Sequence, residues 1–536
     1  MWTRPPNVLL RGGSIYSPLA PHATAMLTVR GTIAWLGDDS AADQYADEAH
    51  QVVDLQGRLV TPGFVDAHAH LAQTGFALQS VDLGSAHSLE EMLDALAAYA
   101  KGHEGSVLFA QGWDETRWPQ QRIPSLSEID RAVGNKIAYI ARVDSHSAVI
   151  STALLQRRPD LKELDGWRGD GTVERDAHHA ARAVADELRT AADRSAALLT
   201  ALDHAASLGV TSLHELNAPH IAPLSDLSTL KDLRAEFAVP EVVPYWGELL
   251  GGAGVDEPIV GFAGDLCMDG AIGSRTAALE QPYADRDTSG YLYLDERQVR
   301  DHVVLCTRRG VQAGFHVIGD RALREVMAGF QAAASEVGQD AILAARHRLE
   351  HVEMPTRDDI DAMARLGIVA SVQPAFDAAW GGDDALYAQR LGRERASAMN
   401  PFATMHRAGV VLAFGSDSPV TPVDPWGTIR AAAFHHREDE RLSVRAAFNA
   451  HTRGGHRARR FDMGGVLAPG AHATYVVWDI KSELSVQTPD VRVAAWSTDA
   501  RAGVPVLPDV HPDVDLPICV ETVVGGVPIY TAEQVA

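Results

Sequence analysis

Eight strand-like segments separated by helix-prone stretches constrain this chain more than any other feature of its sequence. They run from Phe64 to His70, Val210 to His214, Val242 to Trp246, Gly264 to Met268, Gly314 to Gly319, Arg348 to His351, Ala370 to Gln373 and Val411 to Ser416. Between most of them lie runs of helical character, such as Ala191 to Ser207, Arg321 to Val337 and Pro355 to Leu366. Strands alternating with helices build a parallel sheet with helical crossovers. Eight such units close on themselves, so the expected fold class is α/β, a (β/α)8 TIM barrel.

The two ends of the chain read differently. Val8 to Leu10, Ala25 to Val29 and Gln51 to Leu55 are extended candidates divided by Gly, Pro and acidic turns, and Ala473 to Trp478 and Val520 to Val524 answer them near the other end. They are expected to pair in one flanking β-sandwich of residues 1–62 plus 462–536, beside a barrel of residues 63–461. A long insertion, 80–190, leaves the first strand at the end where a barrel keeps its active site. It is therefore placed to roof that site. Its polar and aromatic high points are Gly112 to Pro119, with Trp113, Arg117 and Trp118, and Arg142 to His146.

Composition narrows the partners. A formal net charge of -24 opposes general binding to nucleic acid or an anionic membrane and leaves a small-molecule substrate. No apolar run spans a bilayer, and the start reads straight into a strand-like segment, so a cytoplasmic protein is expected. Assembly into a homo-oligomer is left open. Cys267, Cys306 and Cys519 lack Cys-x-x-Cys spacing, which suits a reducing compartment and removes a thiolate zinc cluster. Any metal must rest on His and carboxylates.

Those residues stand at strand ends. His68 and His70 are two apart on the first strand and point the same way, forming half of a divalent-metal site. Asp265 lies on the expected fourth strand, His316 on the fifth, His351 closes the sixth and Asp417 follows the eighth. Parallel strands bring all of these to one mouth. One His on an apolar strand is usually a hydrogen-bonded core residue, but several in register would each need a buried partner.

The ordered set Pro62-Gly63-Phe64-Val65-Asp66-Ala67-His68-Ala69-His70, Met268-Asp269-Gly270-Ala271-Ile272-Gly273-Ser274-Arg275, His316-Val317-Ile318-Gly319-Asp320, Arg348-Leu349-Glu350-His351 and Gly415-Ser416-Asp417-Ser418-Pro419 resembles the amidohydrolase superfamily, and within it the YtcJ-like branch of metal-dependent hydrolases. The resemblance implies that His68, His70, His316, His351 and Asp417 ligate the metal, Asp417 also taking the proton of the metal-activated water. Asp320 and Glu350 either orient His ligands or serve as a helix cap and an arginine partner; the structural roles are favoured for both.

Many members carry a lysine where this chain has Ala263-Gly264-Asp265-Leu266-Cys267. Asp265 is expected to replace it as a ligand, with Cys267 on the same face as a weaker candidate. A short carboxylate spans two cations less easily than a carbamylated lysine. The expectation is thus one ion held mainly by His68, His70 and Asp417, the others completing the shell or binding a second, weaker ion. The cofactor is a divalent metal, zinc foremost, as one or two ions. The expected activity is that of an amidohydrolase cleaving a C–N bond in an amide or cyclic amide. Deamination or ester hydrolysis on the same site, or an inactive binding relative, are the alternatives. Trp113, Arg117 and Arg275 are the expected substrate-binding residues, for an apolar or aromatic group with an anionic end.

Overall fold

The computed structural model describes residues 5–102, 107–249, 258–487, 496–497 and 504–533. Parts of each expected domain, including 1–4, 103–106, 250–257, 488–495, 498–503 and 534–536, lie outside the described residues.

The barrel strands are β1 (Phe64–Ala69), β2 (Val210–Asn217), β3 (Glu241–Trp246), β4 (Gly261–Phe262), β5 (Gln312–Val317), β6 (Arg348–His351), β7 (Val369–Val372) and β8 (Leu412–Phe414). They form one eight-stranded parallel sheet in chain order. Backbone bonds from Asp417 N to His68 O (2.8 Å) and from His70 N to Ser418 O (3.0 Å) bring the end beyond β8 against β1. The chain is therefore a (β/α)8 TIM barrel. Gly415 permits this closure, since a Cβ there would stand 2.5 Å from the His68 backbone nitrogen.

The crossover helices begin where the sequence supplies caps. Thr190 with Asp193, Asp295 with Gln298 and Thr356 with Asp359 form capping boxes at Ala191–Ser207, Glu296–Arg309 and Arg357–Leu366. Left-handed Gly310 and Gly367 end the last two. Among the described residues no helix is long and apolar enough to cross a membrane.

One strand differs from expectation. The fourth is the pair Gly261–Phe262, which joins Tyr245 on one side and Gln312 and Ala313 on the other. Asp265 to Met268 lies beyond it, laid along the end of β5 by bonds from His316 N to Leu266 O (3.2 Å) and Met268 N to His316 O (2.9 Å). Cys267 makes an isolated parallel bridge with His316 there, but the chain bends at Gly264 and Asp265 on the way and stands outside the barrel ladder.

Both chain ends share sheets. Leu59–Pro62 pairs antiparallel with Tyr475–Asp479, which pairs in turn with Ile518–Val524. A second sheet orders Thr32–Gly37, Ala25–Val29, Val8–Arg11 and Gln51–Asp54. Leu10, Ile15, Met26, Val60, Tyr475 and Val523 join the two in one apolar cluster. The segment after β1 holds a five-stranded sheet whose period-two pattern feeds two cores. Ala138 and Ile140 face Trp113, Trp118 and helix Leu89–Gly102, while Ile137 and Tyr139 face Leu154, Ala177 and Val184.

Candidate active site

His68 and His70 project together at the C-terminal end of β1, while Ala67 and Ala69 turn into apolar clusters. Across the mouth, Asp417 Oδ1 lies 3.3 Å from His68 Nε2 and 3.1 Å from His70 Nε2. The two oxygens of Asp265 face different rings: Oδ1 is 3.5 Å from His68 Nε2 and 3.9 Å from His316 Nδ1, and Oδ2 is 3.2 Å from His70 Nε2. The His316 and His351 ring centres are 4.5 Å apart, and those of His68 and His351 4.9 Å. All six candidate ligands predicted from the sequence thus meet at one mouth.

Two observations fit this cluster to a divalent metal. His68 Nε2 and Asp265 Oδ1 are buried without a hydrogen-bond partner, an arrangement that costs free energy unless something binds there. The ligating atoms also converge, in His68, His70 and Asp417 and in His68, Asp265 and His351, to within 4.8 Å of one another. Imidazole nitrogen and carboxylate oxygen together suit a divalent transition ion. Backbone strain points the same way. His351 and Asp417 have φ of 71° and 54°, a left-handed conformation costly for side chains of this size and concentrated at functional sites.

The surroundings set tautomer and charge. Glu350 Oε2 lies 2.9 Å from His68 Nδ1, and Gln373 Oε1 is 2.9 Å from His351 Nδ1. Glu350 also binds Arg348, so the arginine partnership expected from the sequence holds, but the carboxylate orients a His ligand as well. Asp320 accepts the Glu280 and Arg321 backbone N–H groups and touches no ligand. Burial opposes charge on His70, yet Asp265 and Asp417 raise its pKa to about 9. Burial, with His316 next to it, pushes His351 down to about 3. Asp417 and Asp265 fall below the usual carboxylate range despite burial, drawn down chiefly by His68 and by His70 respectively.

The mouth opens into a cavity. One wall is a cluster the sequence reading missed: His178 and His179 on helix Arg175–Glu187, with His220 after β2. Arg182, from the same helix, and Cys267 line the cavity too. The His179 and His220 ring centres are 5.0 Å apart, and Tyr139 Oη meets His178 Nε2 at 2.7 Å. Burial lowers all three pKa values, to about 3 for His220, so these rings are neutral. An adjacent His178-His179 pair on an amphipathic helix was the one available signal. His146, from the insertion, reaches over the mouth with its ring 5.2 Å from that of His316.

The expected substrate-binding residues lie elsewhere. Trp113 is fully buried in the insertion core and donates Nε1–H to Ile140 O at 3.0 Å. Arg117 donates to Gly84 O at 3.2 Å. Arg275 pairs with Asp285 at 2.6 Å, which also holds Arg390 at 2.9 Å. None of the three lines the cavity, because each is already satisfied within its own structural unit. Cys267 Sγ is 3.9 Å from His220 Nε2, and burial followed by Asp265 pushes its thiol well up.

The amidohydrolase family matches residues 51–530, nearly the whole chain. The chain belongs to the amidohydrolase family. It is 26% identical to the putative amidohydrolase YtcJ of Bacillus subtilis, over 84% of this chain and 89% of that protein. It is 23% identical to an N-substituted formamide deformylase of Arthrobacter pascens, over 85% of this chain and 90% of the relative. A solved but uncharacterized metal-dependent hydrolase of Pyrococcus furiosus aligns with a TM-score of 0.68 and 26% identity, covering 88% of this chain and 98% of that one. This amidohydrolase is accordingly a metal-dependent hydrolase on a TIM barrel.

Proposed function

We propose that this amidohydrolase cleaves the C–N bond of a small amide or cyclic amide, with zinc as the divalent ion and Asp417 as the proton carrier. The observation that carries the reading is the convergence of unpartnered His68 Nε2 and Asp265 Oδ1 with Asp417 at the floor of a cavity. A divalent ion held there supplies Lewis-acid activation of water and of the scissile carbonyl. His68, His70 and Asp417 hold it, with Asp265, His316 and His351 completing the shell or binding a second ion. Asp417 takes the proton from the attacking water and passes it to the departing nitrogen, which must be protonated to leave. Glu350 keeps His68 Nε2 turned toward the mouth. The insertion limits access to the cavity from above, and the reactive groups are drier for it.

A relative named for N-substituted formamides supports a C–N bond as the target. The test is a panel of N-substituted formamides, cyclic amides, amino-heterocycles and esters, assayed for amine, acid and ammonia release alongside elemental analysis. Amine and acid release that follows metal content is expected. Ammonia release from amino-heterocycles alone, or ester cleavage alone, would replace this reading with deamination or esterolysis. A protein that holds no metal would overturn the metal assignment itself.

A further inference from the structure

We propose that the substrate carries a carboxylate on the side away from its scissile bond, and that Arg182, beside His179 and His220 in the cavity wall, receives it. The proposal rests on the reading that the reacting group of the substrate sits at His68 and Asp417.

Helix Arg175–Glu187 delivers His178, His179 and Arg182 to one wall of the cavity, because residues three and four apart share a helix face. His220 stands beside them, its ring centre 5.0 Å from that of His179 and its Nε2 3.9 Å from Cys267 Sγ. The wall runs from the metal site to Arg182. Burial lowers the pKa of all three rings, the charge of Arg182 adds to it in each, and Asp265 opposes it at His220. A histidine keeps at least one ring N–H in either charge state, and a guanidinium can only donate.

Arg182 is the charge this wall leaves unanswered. Among the described residues no Asp or Glu pairs with it, and Asp176 on the same helix is exposed and does not line the cavity. The carboxylates that do line it are engaged. Asp265 and Asp417 face the His ligands, Asp144 accepts from Arg142 at 2.8 Å and from Ser274 Oγ at 2.7 Å, and Asp269 accepts the backbone N–H groups of Ile318, Gly319 and Ala278. A second guanidinium, Arg189, enters the same cavity with its Cζ 3.6 Å from the Phe76 ring centre and 3.8 Å from that of Phe109. A chain with 47 basic and 71 acidic residues thus sets two arginines, and among the described residues no uncommitted acid, around the recess beyond its metal ligands. A recess of that sign concentrates anions. The guanidinium fork meets a planar carboxylate in two parallel hydrogen bonds, so a carboxylate-bearing amide is the substrate class.

The test uses the metal-loaded protein and calorimetric binding of succinate, glutarate, adipate and pimelate, each against the monocarboxylate of equal length, butanoate to heptanoate. One carboxylate addresses the metal, and the spacer lets the other reach Arg182. No bond is cleaved, so the outcome stands apart from the choice of scissile bond. At one length the dicarboxylate is expected to bind about tenfold more tightly than its monocarboxylate in the wild type. Arg182→Met keeps a long side chain on a half-exposed helix position and removes the charge. It should cut that gain to less than about threefold, with metal content, Tm and monocarboxylate affinity unchanged. Arg182→Glu should reverse the preference, so that the ω-amino acid of the same length outbinds the dicarboxylate. No gain at any length, a gain in Arg182→Met equal to that of the wild type, or an Arg182→Glu protein that still prefers the dicarboxylate overturns the proposal. So does a metal-loaded protein that binds none of these acids. Failure of the underlying metal reading shows separately, as a wild-type protein without metal.

Discussion

Glu350 Oε2 stands 2.9 Å from Nδ1 of His68 while both its oxygens are held by Arg348, all three side chains being fully buried. A carboxylate can only accept, so His68 donates from Nδ1, and its Nε2 is the atom turned to Asp265 and Asp417. Burial alone would raise the Glu350 pKa; Arg348 and then His68 bring it down to about 2. Glu350→Gln keeps an accepting oxygen but loses the charge that fixes the ring. Metal affinity, measured by chelator competition, should fall about 10- to 100-fold. Thermal unfolding should also shift down, because Arg348 loses its buried counter-charge. Affinity within twofold of wild type would return Glu350 to an arginine partner alone.

His70→Ala and Asp417→Asn should separate ligation from proton transfer. The alanine variant removes a nitrogen donor and should lose both metal and turnover while the apolar barrel stays folded. The asparagine variant keeps an oxygen toward the site but cannot accept a proton, so kcat should drop roughly 100-fold or more with metal largely retained. Elemental analysis and kcat on one good substrate decide it. A kcat for Asp417→Asn within a few-fold of wild type would remove Asp417 from the proton path.

The barrel and its ligands were legible because two rules act locally: period-two alternation puts His68 and His70 on one side, and parallel strands gather their C-terminal ends. The fourth strand was misread because the run around Leu266 lies along the end of β5 through His316, with the chain bent at Gly264 and Asp265, and does not belong to the ladder. His178, His179 and His220 could not be grouped in advance, since a helix of the insertion and a loop after β2 meet only in the folded chain. Glu350 was read as an arginine partner from its neighbour Arg348, and its bond to His68 spans 282 residues. Trp113 and Arg117 drew notice by their chemistry, which does not encode the direction in which a side chain points.

Their placement makes a contrast testable. Trp113 is fully buried among Leu108, Ile129 and Ile140, so Trp113→Ala should cost about 3 to 5 kcal/mol by leaving a large cavity. Arg117→Ala removes one exposed bond to Gly84 O and should leave KM within about twofold and unfolding within about 1 kcal/mol. His146→Ala, over the mouth, should change KM while leaving the insertion folded. Denaturant titration and steady-state kinetics on the three variants check this. A large KM effect from Arg117→Ala without loss of stability would bring the insertion tip back to the substrate.

Glu215, on β2, offers a pH signature apart from the ligands. It is 1% exposed, and its Oε2 accepts the Leu71 N–H at 2.8 Å, anchoring the helix that follows His70. Burial raises its pKa to about 7 from an ordinary 4.5, outweighing the lowering by the Leu71 N–H and by His70. The folded protein therefore binds this proton more tightly than the unfolded chain does. Its contribution is fully present below pH 4.5, declines as pH rises and is lost on passing through 7, a change of roughly 3 kcal/mol. Glu215→Gln keeps an oxygen for Leu71 and has no proton to lose. Between pH 5 and 8 the wild-type Tm should therefore fall relative to that of Glu215→Gln, measured with metal removed so that a bound cation does not favour the ionised carboxyl. Parallel Tm profiles for the two proteins would show that Glu215 is ionised throughout, and that its bond to Leu71 outweighs its burial.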